Sequence, residues 1–254
     1  MHRSSHIAAA SLIAFATALF IGCGASEPKQ AKDTPKVSAT TAKPTAAPTD
    51  HPKAHAQPAP KPIQMVYYRP GSSWLKGKPP AEQNLAGHMK FVHAAYQQSQ
   101  LVGHGLATDR PLGLYLVSGQ TDAAARFVAS DPGVKQNVLQ RDHIESWMVM
   151  MSQLDKHKPG TPLYVLRYRP GSSWIAGKPL TQQAIGPHMA YAKTKFASGR
   201  ILAGGPIGDG STGGAYLVTG TKTELEAFLS EDPGVTAGVF TASTMPWAGS
   251  FGSK

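Results

Sequence analysis

Tyr68-Arg69-Pro70-Gly71-Ser72-Ser73-Trp74 returns as Tyr168-Arg169-Pro170-Gly171-Ser172-Ser173-Trp174, a repeat spaced by about 100 residues that decides how the rest of the chain is read. The offset holds elsewhere. Gly77-Lys78-Pro79 returns as Gly177-Lys178-Pro179, His88-Met89 as His188-Met189, Tyr115-Leu116-Val117 as Tyr216-Leu217-Val218, and Asp131-Pro132-Gly133-Val134 as Asp232-Pro233-Gly234-Val235. Two copies are too few for a solenoid, so the chain carries a duplicated domain.

Inside each copy the patterning gives strand, helix, strand, strand, helix, strand. In the second copy 163–169 is rich in Leu, Tyr and Val and stops at Pro170, as a strand does. Ile185, Met189, Ala192 and Phe196 recur at helical spacing. The short apolar runs 200–203 and 215–219 flank a glycine-rich stretch and predict a hairpin, and the helix containing Leu225, Phe228 and Leu229 must end before Pro233. Copy one repeats the order and closes with a strand at 144–151. This is the ferredoxin-like βαββαβ unit of the α+β class. One such sheet leaves a face uncovered, and two can cover each other. The expected architecture is therefore an intramolecular, pseudo-dimeric α/β barrel, with repeats at 63–152 and 163–254 and a connector at 153–162. Because the repeats pair internally, a monomer is expected.

Outward from the repeats, the N-terminus has Arg3, an apolar run through Ile21, and Gly22-Cys23. That is the pattern of a signal peptide over 1–22, and the run is shorter than the roughly 20 residues of a spanning helix. It resembles the export signal of bacterial lipoproteins, which implies lipid on Cys23, although Phe20 stands where that signal usually has leucine. Cys23 is the only cysteine, so disulfide and thiol chemistry are excluded from the domain. Residues 23–62 are dominated by Ala, Pro, Lys and Thr and cannot supply a core, so they are expected to form a disordered tether. The formal charge of +10 raises nucleic acid as a partner. Lysines 29, 32, 36, 43, 53 and 61 sit in the tether, and no aromatic-basic stacking motif accompanies the charge, so nucleic acid is not expected and contact with anionic lipid is. These readings place the protein in the cell envelope, on the periplasmic side of a membrane, the outer membrane before the inner, or at the cell surface.

The order R-P-G-x-x-W, G-K-P, helical His, G-G-P, D-P and late Trp resembles the YCII-related family of dimeric α/β barrels. Copy two follows it through Gly204-Gly205-Pro206, Asp232-Pro233 and Pro246-Trp247. Copy one departs, with Gly103-His104-Gly105-Leu106 where a G-G-P turn is expected and Ser146 before Trp147. The resemblance implies an active-site pair in each copy, His188 with Asp232 and His88 with Asp131. A carboxylate on one ring nitrogen would fix the tautomer and leave the other nitrogen free as an acid or base. The residues also admit a plainer role, with Asp as helix N-cap, Pro at the first helical position and His as a solvated helix-edge residue. The altered turn of copy one makes His188 and Asp232 the first choice. Arg169 and Trp174, with Arg69 and Trp74, can hold an anionic group and a ring at the cleft, or belong to a well-fitted turn.

Other chemistries find no support. The glycines of 204–214 lack the ending and context of a phosphate loop. His88 and His93, five apart on a helix, point away from each other and do not form a metal pair. Neither metal nor cofactor is expected. Two functions are carried forward: His-Asp acid-base chemistry on a small cyclic or aromatic molecule, or non-catalytic binding of a small ligand or partner in the same cleft.

Overall fold

The computed structural model describes residues 61–251. The expected signal peptide, Cys23 and nearly all of the expected tether lie outside the described residues. The first repeat runs β1 (Lys61–Pro70), α1 (Ala86–Gln97), β2 (Leu101–Ala107), β3 (Gly113–Ser118), α2 (Thr121–Ser130), a one-turn α3 (Pro132–Lys135) and β4 (Leu139–Val149). A two-residue β5 (Met151–Ser152) follows. The second repeat gives β6 (Leu163–Pro170), α4 (Gly186–Ala197), β7 (Ile201–Pro206), β8 (Gly214–Thr219), α5 (Lys222–Ser230), α6 (Pro233–Thr236) and β9 (Phe240–Phe251). The element order is the one the patterning predicts, with β1 starting two residues inside the expected tether. One local expectation fails: Gly204-Gly205-Pro206 is the end of strand β7, and the turn comes after it.

The strands form one antiparallel sheet in the order β4-β1-β3-β2-β9-β6-β8-β7-β5. Its joints show how the copies interlock. Strand β9 bonds β6 of its own repeat and then, from Ala107↔Trp247 to Gly103↔Phe251, bonds β2 of the other. The first repeat does the same in reverse. Trp147 on β4 bridges Ile207, the Gly208 amide donates to Ser146 O at 2.7 Å, and β5 pairs with β7. Since β5 continues β4, the two ends of the sheet meet and the sheet curls upon itself. Gly205 allows this closeness, because a Cβ there would run into the Met148 carbonyl.

Strand alternation sorts the apolar residues into three clusters. From β1, Ile63 and Met65 point inward, where they meet Leu114, Leu116, Trp147, Val165, Leu217 and Trp247 in a core shared by both repeats. The alternate residues Val66 and Tyr68 point outward and pack with Tyr115, Val92 and Phe127 under α1 and α2. Leu166, Tyr168, Tyr216, Ala192 and Phe228 do the same under α4 and α5. Both faces of each sheet are covered, which explains why strands such as β3 are buried at nearly every position.

Among the described residues one ion pair crosses between repeats. Arg167 on β6, 8% exposed, donates to Glu145 on β4 at 2.9 Å and 3.1 Å and to the carbonyls of Tyr168, Thr212 and Gly214. A buried guanidinium with this many acceptors is compensated. Tyr67 occupies the equivalent position of copy one, and burial followed by the Glu145 charge pushes its pKa up.

Candidate functional site

Helix α1 carries His88 inward and α4 carries His188; they are 2% and 4% exposed. The apolar stripe expected for α4 is thus rotated: His188 and Ala192 are buried while Met189 is 43% exposed. His88 Nδ1 stands 3.0 and 2.9 Å from the two carboxylate oxygens of Asp131, and His188 Nδ1 stands 2.9 and 3.0 Å from those of Asp232. With the carboxylates ionised, Nδ1–H is the donor. The remaining nitrogen, expected to be free, is occupied. His88 Nε2 lies 2.7 Å from the Tyr115 hydroxyl and His188 Nε2 lies 3.0 Å from that of Tyr216. Each site is therefore an Asp-His-Tyr chain. In the neutral ring the tyrosine O–H donates to Nε2; in the imidazolium Nε2–H donates to the tyrosine oxygen, which frees the O–H for a ligand.

The D-P-G-V motif serves both roles that its residues admit. Asp131 caps α3, its Oδ1 accepting from the Gly133 amide at 2.8 Å while the carboxylate also holds His88, and Asp232 does the same with Gly234 at 2.8 Å. Pro is the first helical residue, and Gly lets the turn pack closely on the histidine, since a Cβ at 133 would come within 3.1 Å of His88 Cβ. The seven-residue repeat likewise explains itself as a turn. The Gly71 amide donates to Val138 O and the Ser73 amide to Asn137 O, and a Cβ on Gly71 would strike the Asn137 carbonyl. Gln83 ties the same loop by donating to the carbonyls of Leu75 and Lys78, and Gln183 does so in copy two.

The copies differ in the shell around these chains. The Tyr168 hydroxyl donates to Asp232 at 2.6 Å, whereas the buried Tyr68 hydroxyl lies close enough to Asp131 for that carboxylate to add to the effect of burial in raising its pKa, but is out of line for a well-formed hydrogen bond to any described residue. Burial by itself pushes the Asp232 carboxyl up, but the hydrogen bonds from His188, Tyr168 and the Gly234 amide, with the His188 charge, outweigh it and leave its pKa below the ordinary value. Tyr115 and Tyr216 have raised pKa values, first through burial and then through Asp131 and Asp232, so both keep their protons at neutral pH.

Each chain ends at a cavity. That of copy one measures about 500 Å³ and is lined by His88, Tyr115, Arg69, Trp74, His104 and Arg110 among others. That of copy two measures about 210 Å³ and has Met150 and Met151, from the end of repeat one, in its wall. The preference for copy two that the motifs gave runs against this: the roomier cavity belongs to copy one. Arg69 and Trp74 line it, whereas Arg169 bonds Ser243 and Trp174 packs on Phe240, and neither lines the copy-two cavity. Four residues escaped the reading of the motifs: Tyr68, Tyr115, His104 and Arg110. Tyr115 had a visible signal, since it recurs as Tyr216 in a strand buried on both faces, where a phenol needs a partner. Among the described residues no group of three or more His, Cys, Asp or Glu side chains is placed to hold a metal ion.

No protein-family model matches this sequence, and no curated protein matches it. Among solved structures, one similar in shape is a "putative monooxygenase" from Lactobacillus acidophilus, with a TM-score of 0.43, 8% identity, and coverage of 74% of this chain and 94% of that one. Another is a heme-binding protein from Thermus thermophilus, with a TM-score of 0.47, 12% identity, and coverage of 74% and 91%. Likenesses this distant have no bearing on the chemistry of the site.

Proposed function

We propose that the protein is an envelope-tethered small-molecule binder whose working site is the copy-one cavity, with the Asp131-His88-Tyr115 chain as its adjustable hydrogen-bonding floor. The observation that carries this is the placement of the Tyr115 hydroxyl, bonded to His88 at 2.7 Å, in the wall of a cavity of about 500 Å³, a size that suits a small organic ligand. A ligand acceptor takes the Tyr115 O–H when the ring has taken up a proton from solvent, so that Nε2–H donates to the tyrosine oxygen; a ligand donor meets the hydroxyl oxygen while the ring is neutral. The interlocked pairing of β2 with β9 and of β5 with β7 supports the pseudo-dimeric barrel and a monomeric chain, and the motif order supports kinship with YCII-related proteins. Export over 1–22 and lipid on Cys23 complete the proposal; metabolic labelling with a fatty acid, lost in Cys23→Ser, tests that part.

Acid-base catalysis is the second reading, favoured by the equal His-Asp geometry of the two copies. In it Tyr115 gives its proton to the substrate and takes one from the protonated His88, so Tyr115, not the imidazole, is the group that touches substrate. The test of binding is a fragment screen on the full chain, followed through the side-chain nitrogen resonances of His88. Fragments that shift His88, and lose that effect when L106W narrows the cavity mouth, support the reading. A screen in which no fragment reaches His88 overturns it.

A further inference from the structure

We infer that the copy-one cavity selects an organic anion with a flat apolar body, that His104 is the residue separating its specificity from that of copy two, and that the copy-two cavity takes neutral apolar molecules. The inference rests on the binding reading above and assigns the ligand class of each cavity.

The linings differ in charge around a common chain. Copy one presents Arg69, Arg110 and His104, and its lining contains no carboxylate. Copy two presents no Arg, Lys, Asp or Glu, and its wall is built from Met150, Met151, Leu180, Met189 and Phe240. The arginines are only loosely engaged. Arg69 stands 3.4 Å from Asp142 and Arg110 stands 3.6 Å from Asp109, with all four side chains more than a third exposed. Exposed pairs of this kind are weak, and a ligand carboxylate in a partly dry cavity competes with them through charge-assisted hydrogen bonds. Trp74, Leu112 and Met89 supply the flat, apolar surroundings for the rest of the ligand.

His104 marks the divergence. On β2 it pairs opposite Tyr115, at the register position that Gly204 holds opposite Tyr216. A side chain at 204 would run into the Tyr216 ring, so a residue larger than glycine forces the tyrosine to turn. It has turned in copy one: the rings of His88 and Tyr115 are at 85°, those of His188 and Tyr216 at 3°. The turned Tyr115 lies parallel to His104, 11° apart with centroids at 6.2 Å. Among the described residues the His104 ring makes no hydrogen bond to the protein, so its N–H is available to a ligand oxygen. Burial, then the nearby His88, holds the His104 pKa down; the ring thus offers a hydrogen bond at neutral pH while the arginines offer charge. The Tyr68 hydroxyl, buried without a partner at this cavity, is one more donor that copy two has already spent on Asp232.

The test titrates the full chain calorimetrically with 2-naphthoate and with its neutral counterpart 2-naphthamide, locating each by the histidine resonances. Naphthoate is expected to move His88 and His104 and to bind there at least about tenfold more tightly than naphthamide, the worth of one charge-assisted hydrogen bond. H104G, which recreates the residue of copy two, and R110Q, in a surface loop, should each remove about that tenfold preference, while naphthamide moves His188. Equal affinity of the two probes at copy one overturns the anion inference and leaves the cavity reading standing. Loss of preference in R110Q but not H104G overturns the role of His104. If neither probe moves His88 or His104, both the inference and the reading beneath it fall.

Discussion

Deleting one oxygen from each copy should have unequal consequences. Tyr68 and Tyr168 are both about 1% exposed and occupy matching positions on β1 and β6. Tyr168 donates to the Asp232 carboxylate at 2.6 Å; Tyr68 makes no well-formed hydrogen bond among the described residues. Tyr168→Phe removes a charge-assisted bond from a buried carboxylate and should cost about 1.5–3 kcal/mol. Tyr68→Phe removes a desolvated hydroxyl with only a poorly aligned contact to Asp131 to lose, so it should change stability by less than about 1 kcal/mol. The shared core contains residues of both repeats, so the copies should unfold in one transition and both variants be read on the same scale. Urea unfolding of the full chain at pH 7 should show the Tyr168→Phe midpoint down by about 1 M at an m of about 2 kcal/mol/M, with m unchanged, and the Tyr68→Phe midpoint moved by less than about half that. The pH dependence gives a second check. The folded pKa of Asp232 is lowered, so its contribution to stability is fully present above the unfolded aspartate value of about 3.9 and is lost as pH falls through the folded pKa. The penalty of Tyr168→Phe should shrink over that acid range. Equal penalties for the two variants at pH 7, or a larger one for Tyr68→Phe, would refute the assignment of these hydroxyls.

The same logic applies to the two late tryptophans. Trp147 Nε1 donates to Gly205 O and Ala215 O, whereas Trp247 Nε1 has no partner among the described residues; Trp147→Phe should exceed Trp247→Phe by about 1–3 kcal/mol in urea unfolding. Glu145→Ala strands the Arg167 guanidinium, with Arg167 and Glu145 side chains only 10% and 19% exposed, and should cost about 3–5 kcal/mol by the same measurement. Gly204→His should force Tyr216 to turn as Tyr115 has, at about 1–3 kcal/mol of overpacking; an altered His188 resonance with a retained fold is expected, and an unmoved His188 would count against the role given to residue 104.

What the sequence made legible was what duplication writes twice. The element order and the helix that starts at Pro132 or Pro233 follow from residues that recur. Spacing alone favours the N-cap role, and the His-Asp pairing enters through the resemblance; in the fold the two are compatible, since one carboxylate does both. The rest depends on which face of a strand a residue occupies. Tyr115 recurs as Tyr216 but lies in a run buried on both faces, so no alternation tells which helix it approaches. His104 looked like a defect in a turn because the glycines of copy two suggested a turn there, whereas they lie in a strand and leave room for a tyrosine ring.

The two copies need not remain alike once they share a chain. In a barrel made from two identical chains, any substitution appears at both sites, so Met150 could not close one cavity without closing the other. Covalent fusion removes that coupling. The end of repeat one places Met150 and Met151 in the wall of the copy-two cavity, while the matching positions at the end of repeat two, Ser250 and Phe251, do not line the cavity of copy one. Strand exchange at the sheet joints is thus also what lets repeat one shape the cavity of copy two. The Asp-His-Tyr chain common to both copies then has two causes that can be separated: in copy two, where every member is bonded and the cavity is small, it holds α4, α6 and the sheet together; in copy one, with an unpartnered Tyr68 and an unbonded His104, the same chain keeps hydrogen-bonding capacity in reserve. A site that leaves buried polar groups unsatisfied carries a standing penalty, which a ligand of matching chemistry relieves.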